Sequence, residues 1–197
     1  MKNLLFLILV LLTTKGYSQY FPVDTAALNQ SYRVLKPDSQ NKKKQMDFLN
    51  AFPSTFSDFT MVYQFVKDPN YDLTMYGLGS EHILNGLAKL DKVPQSIYFK
   101  KLIFLCLQGQ WEADAPSYLQ HLVRSKMRTN TNAMFEILNQ LHEGRQISFW
   151  YFYYHCRFAK DLKKDLSTYT EQMNAKFPKV VQAMKKAHTA SCGMVWY

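Results

Sequence analysis

Six aromatic residues in a row, Phe149-Trp150-Tyr151-Phe152-Tyr153-Tyr154, constrain this chain more than any other segment. A block this apolar has to be covered by the rest of the protein. Its intrinsic propensity suits a strand. A strand needs a partner for its backbone groups, however, and no other segment offers a convincing one. The run is therefore expected to be a buried helix, with the phenols of Tyr151, Tyr153 and Tyr154 reaching hydrogen-bond partners or water.

Elsewhere the apolar residues recur at helical spacing. Asp24 is placed to cap a helix carrying Leu28, Tyr32 and Leu35, which Pro37 and Asp38 end. A second helix starts at the basic residues 42–44, ends with Phe48, Leu49 and Phe52, and is stopped by Pro53. Thr55 and Asp58 form a Thr-x-x-Asp start signal for a helix bearing Phe56, Phe59, Tyr63 and Val66. Residues 67–73 read as a loop, and a glycine-weakened helix follows with Ile83, Leu84, Leu87 and Leu90. A central helix is expected from Pro94 to Gly109, apolar all round at 102–107. Asp114 precedes a helix with Leu119, Leu122 and Val123; Asn130 or Thr131 caps one with Met134, Ile137, Leu138 and Leu141. The aromatic helix starts near Gln146, and Pro178 divides the basic last third into two helices. An apolar tail, 194–197, is expected to dock on the core.

Aromatic content is 15% with only 7 Gly and 7 Pro, which favours large side chains packed between helices over disorder. The expected fold is all-α, a single-domain multi-helix bundle or irregular α-α array of about eight to ten helices.

The first 18 residues read as a secretory leader. Lys2 is followed by an unbroken apolar run at 4–12, too short to span a bilayer, and Gly16 and Ser18 occupy the two positions a signal peptidase reads. The expected domains are the leader, 1–18, and a helical domain, 19–197. No later segment has transmembrane length, so a periplasmic or secreted soluble protein is expected.

The formal charge is +9, and loss of Lys2 and Lys15 with the leader lowers it by two. That sign serves solubility or an acidic partner. Export argues against nucleic acid and for a protein or cell-wall component. Lysines and arginines concentrate in the last third (Arg157, Lys160, Lys163, Lys164, Lys176, Lys179, Lys185, Lys186), partly offset by Asp161, Asp165 and Glu171, and read as solvated helix faces or as a patch for an acidic partner. Three cysteines leave at least one unpaired: Cys106 reads as a small buried hydrophobe, and Cys156 with Cys192 is the candidate disulfide.

No catalytic or metal motif is present, and neither cofactor nor metal is expected. The histidines are scattered; Glu81-His82 and His142-Glu143 read as surface or capping pairs. His155 and Cys156 diverge as helix neighbours and make a poor nucleophile pair. The connector 109–115 is the most unusual local feature. Its favoured role is structural, with Trp111 plugging the core, Asp114 capping and Glu112 complementing the helix start; the alternative is a recognition surface of Trp111, Glu112 and Asp114.

Three stretches carry a resemblance: Ala51-Phe52-Pro53-Ser54-Thr55-Phe56 with Phe59 and Tyr63, then 109–115, then Ser148-Phe149-Trp150-Tyr151-Phe152. Together they resemble an uncharacterised family of small exported all-helical proteins from Bacteroidetes-type bacteria. The resemblance spans about residues 43–186 and implies export and an all-helical fold, but no active site. It departs at His155-Cys156-Arg157, where the family has an acidic turn containing glycine and proline.

The function expected from these features is binding without chemistry, for example an immunity-type protein engaging an acidic toxin. The alternative is an envelope hydrolase whose site gathers dispersed groups such as Asp72, Glu81, Glu112 and Asp114. N-terminal sequencing of the exported protein should begin at Gln19; a product that still carries Met1 contradicts the leader.

Overall fold

Two start signals in the sequence, Asp24 and Thr55, form the caps they predict. A computed structural model describes residues 23–64, 75–110, 114–155 and 160–192, with the side chains of 160, 161 and 192 outside the description. Asp24 accepts the N–H of Ala27 at 2.9 Å and opens α1 (Thr25–Leu35), whose Leu28, Tyr32 and Leu35 are buried. Asn41 caps α2 (Lys42–Ala51), and Thr55 caps α3 (Phe56–Tyr63) by accepting the N–H of Asp58 at 3.1 Å. Phe52, held extended ahead of Pro53, separates the two. Then come α4 (Gln95–Leu105), α5 (Ala115–Thr129), α6 (Thr131–Asn139), α7 (Glu143–Tyr154), α8 (Lys160–Met173) and α9 (Pro178–Cys192). No strand occurs among the described residues, and no helix there is long and apolar enough to cross a membrane. The chain is all-α, a multi-helix array. The leader, the loop at 67–73, Val66, Trp111, Glu112, Cys156, the side chain of Cys192 and the tail at 194–197 lie outside the described residues.

Three local expectations need correction. The helix of Ile83, Leu84 and Leu87 is a π-helical turn, Glu81–Gly86, between short 3-10 segments at Tyr76–Leu78 and Leu87–Lys89. A Cβ on Gly86 would stand 2.8 Å from the ring of Phe48, so the glycine serves close packing. The central helix ends at Leu105, four residues before Gly109. Tight turns follow at Cys106 and Leu107, and Gln108 takes the left-handed conformation (φ 61°) while its N–H goes to Ser148 Oγ at 2.6 Å. Asn130 and Thr131 turn away from α6: Asn130 Nδ2 reaches Lys126 O and Thr131 Oγ1 donates to Met127 O, so both close α5. With only Asn130 between the helices, these side chains satisfy the last carbonyls of α5 instead of the first amides of α6.

Two aromatic clusters fill the core. In the first, Tyr32, Phe48, Phe52, Phe59, Tyr63 and His82 from α1, α2, α3 and the π turn pack ring on ring. In the second, Phe135, Phe149, Trp150, Tyr153, Tyr169 and Phe177 join α6, α7, α8 and the turn before α9. The aromatic run is thus a buried helix: Phe149, Trp150, Phe152 and Tyr153 are fully buried. Cys106 is also buried, with its thiol free and its pKa raised by burial. The clusters meet where Phe56 touches Phe152, ring centres 5.5 Å apart. Gly109 lies at this junction; a Cβ there would stand 2.6 Å from Phe152, 3.0 Å from Phe56 and 3.0 Å from Cys106 O.

Short helices with buried ends need donors for their last carbonyls, and neighbouring helices supply them. Lys101 Nζ on α4 donates to Phe52 O at 2.6 Å and Ser54 Oγ at 2.8 Å, and burial lowers its pKa to about 8. Lys126 Nζ donates to Ala88 O, and Tyr98 Oη to Leu87 O, both at 2.9 Å. Gln146 Nε2 donates to Leu138 O and Leu141 O at the end of α6.

Gly109→Ala should overpack the junction and cost ~2 kcal/mol in urea unfolding. Gly77→Ala, where a Cβ would meet nothing within 4 Å, should leave stability close to wild type.

Candidate functional site

Polar side chains on α5 are spaced to follow the end of the aromatic helix. Gln120, Arg124 and Arg128 stand four residues apart, each immediately after a buried apolar residue, Leu119, Val123 or Met127. Gln120 Nε2 donates to Phe152 O at 2.5 Å and His155 O at 2.8 Å. Arg124 donates to Tyr153 O through Nε at 3.0 Å and Nη2 at 2.6 Å, with its guanidinium over the Tyr153 ring. Arg128, one turn further, leaves α7 and reaches Asp165 on α8. Its Nη2 is 2.9 Å from Oδ2, and its Nε is 3.2 Å from each carboxylate oxygen.

This pair forms the floor of a cleft of about 600 Å³ between α5 and α8, with Thr131, Lys164, Thr168 and Gln172 around it. Asp165 is 8% exposed, and it also accepts the Tyr153 hydroxyl at 2.8 Å; the Tyr169 hydroxyl lies 3.1 Å from that of Tyr153. Burial, with Tyr169 and Asp165 alongside, raises the Tyr153 pKa far beyond the usual phenol range, and burial pushes Tyr169 up to about 12. Both phenols keep their protons at neutral pH. The Asp165 hydrogen bond raises the Arg128 pKa further. The arrangement is built to hold charge and donate hydrogen bonds, and its one carboxylate is already engaged.

Of the three residues singled out in the connector, only Asp114 is among the described ones. Its side chain makes no capping bond. The backbone there takes φ 63°, and the carboxylate accepts the Tyr76 hydroxyl at 2.5 Å, which raises the Tyr76 pKa. The expected cap is therefore replaced by a tie to the segment after α3. Glu81 pairs with Lys36 at 3.4 Å. Among the described residues, no three His, Cys, Asp or Glu side chains are placed to hold a metal ion.

His82 also differs from expectation. It is fully buried against Tyr32, Phe48 and Tyr63, not a surface or capping residue. Tyr63, whose pKa burial raises well above the ordinary range, keeps its proton, and its hydroxyl is hydrogen-bonded to His82 Nδ1 at 2.9 Å. The other ring nitrogen, Nε2, has no partner among the described residues. His142 does cap, accepting the Arg145 N–H at 3.4 Å ahead of α7. The four-residue spacing of Gln120, Arg124 and Arg128 is present in the sequence, but their partners lie 29 to 37 positions away and no local signal marks them.

No protein-family profile, curated protein or solved structure matches this chain.

Arg128→Met should cost more than Asp165→Asn, because the first strands a buried carboxylate while the exposed arginine can return to water. Expected losses in urea unfolding are ~3 and ~1 kcal/mol. Burial lowers the His82 pKa from 6.5 to about 4, so the unfolded chain takes up the proton first. The contribution is complete above pH 6.5 and is lost as pH falls through about 4, removing ~3 kcal/mol. His82→Gln should flatten this part of the stability–pH curve.

Proposed function

We propose that this chain is a binding module, periplasmic or secreted, that holds an acidic protein partner against its α8 side, as an immunity-type protein holds a toxin. One observation carries the reading. Lys163, Lys164 and Lys185 are exposed and make no ion pair among the described residues, while the nearby carboxylates Asp165, Glu136 and Glu143 are held by Arg128, Lys176 and Lys186. Glu171 is the one unpaired carboxylate on the described part of α8. Among the described side chains, the surface therefore keeps a positive excess that its carboxylates do not cancel. Burial and the Lys163 charge both lower the His188 pKa, so the field reaches across the α8–α9 seam.

The cleft beside these lysines supports the same reading. Its Arg128 is fixed by Asp165, and Lys164, Thr131, Thr168 and Gln172 surround it with donors suited to a partner's carboxylates. A leader ahead of the helical domain, and a resemblance to exported helical proteins, agree with a partner met outside the cytoplasm.

The test is affinity capture from an envelope extract at physiological salt, with the wild type and a Lys163→Glu/Lys164→Glu/Lys185→Glu variant. The wild type should retain a stoichiometric acidic protein and release it as salt rises. The variant should lose the partner while unfolding at the same temperature. A wild type that captures nothing, or a variant that captures equally well, would overturn the reading.

A further inference from the structure

We propose that a second cleft, where the end of α6 and the start of α7 face α9, binds a hydroxyl-rich ligand, a saccharide, with Gln146 as the buried anchor. The cleft encloses about 430 Å³ and is lined by Asn139, His142, Glu143, Gln146, Lys179 and Gln182. That volume lies within the range of small-molecule sites.

Gln146 is the observation that points to a ligand. Its side chain is 3% exposed. Both amide protons are used, at 3.1 Å on Leu138 O and 2.9 Å on Leu141 O, which fixes the orientation of the amide. Its Oε1 is buried and has no donor among the described residues. Gln45 provides the contrast. It is equally buried and bonds two acceptors through Nε2, but its Oε1 also accepts the N–H of Lys92 at 2.8 Å. A buried carbonyl oxygen without a donor is costly, so one on a residue that lines a cleft marks a place for an incoming donor.

The rest of the lining selects the kind of donor. A simple anion would suit Lys179 but would leave Gln146 Oε1 without a donor and meet the Glu143 carboxylate, which Lys186 holds at 2.6 Å. Apart from Leu141 the lining is polar, and an apolar ligand would leave Gln146 Oε1 without a donor and cover the side-chain amides of Asn139 and Gln182. A hydroxyl donates and accepts at one atom, so it satisfies Gln146 Oε1 while accepting from Lys179 or from the amides of Asn139 and Gln182. Adjacent hydroxyls on a sugar ring match the side-by-side donor and acceptor of an amide. This site shares no lining residue with the α5–α8 cleft and does not depend on the acidic-partner reading.

The test uses the ¹⁵N-labelled protein titrated with maltose, cellobiose and N,N′-diacetylchitobiose, and separately with inorganic phosphate. Saturable shifts of the Asn139, Gln146 and Gln182 side-chain amides are expected with at least one disaccharide, and none with phosphate. Gln182→Trp, a substitution at an exposed position that leaves the Gln146 bonds to α6 intact, should fill the cleft. It should weaken binding about tenfold or more without changing the unfolding temperature. Amides unmoved by all three sugars would overturn the proposal and leave the cleft to water. So would a response to phosphate alone, or a Gln182→Trp protein that binds as well as wild type.

Discussion

The constraint on which this structure rests is the need to satisfy buried helix ends. Each helix leaves its last carbonyls without partners inside the helix, and an array of many short helices brings several of these ends into the interior. Here they are closed by long polar side chains from neighbouring helices. Lys101 closes α2, Lys126 closes the segment after the π turn, Gln146 closes α6, and Gln120 with Arg124 closes α7. Cations suit the role because a helix C-terminus carries partial negative charge.

This changes the meaning of the basic composition. Part of the positive charge acts inside the molecule: Lys101, Arg124 and Lys126 are at least partly buried and bonded to main-chain carbonyls. Another part is neutralised at the surface by Asp47, Glu136 and Glu143. A whole-chain charge count cannot separate these uses from the lysines and arginines that stay exposed and without an ion pair among the described residues, Arg33, Lys42, Lys100, Lys163, Lys164 and Lys185 among them.

The two aromatic clusters divide the core, and Gly109 marks their meeting point because no side chain fits between Phe56 and Phe152. Across the junction, α5 ties the halves together. It packs against α3 and the π turn and against α6 and α7, and its polar stripe runs from the end of α7 to Asp165 on α8. The Arg128 cleft is thus the end of a structural device, where the last residue of a capping stripe meets solvent.

The sequence by itself determined that the chain is helical, where most helices begin, and which residues face inward. Leu28, Tyr32 and Leu35, Phe48 and Leu49, and the run from Phe149 to Tyr153 follow local spacing and capping that any folded arrangement must respect. Only the tertiary structure decided what the polar residues do. It put His82 in the core, moved Asp114 from a cap to Tyr76, and turned Gln120, Arg124 and Arg128 into clasps. It also left Gln146 with one oxygen that has no donor among the described residues. The physical reason is range. Apolar periodicity and caps act within a few residues, whereas a polar side chain's partner here lies some thirty or more positions away, and only packing brings the two together.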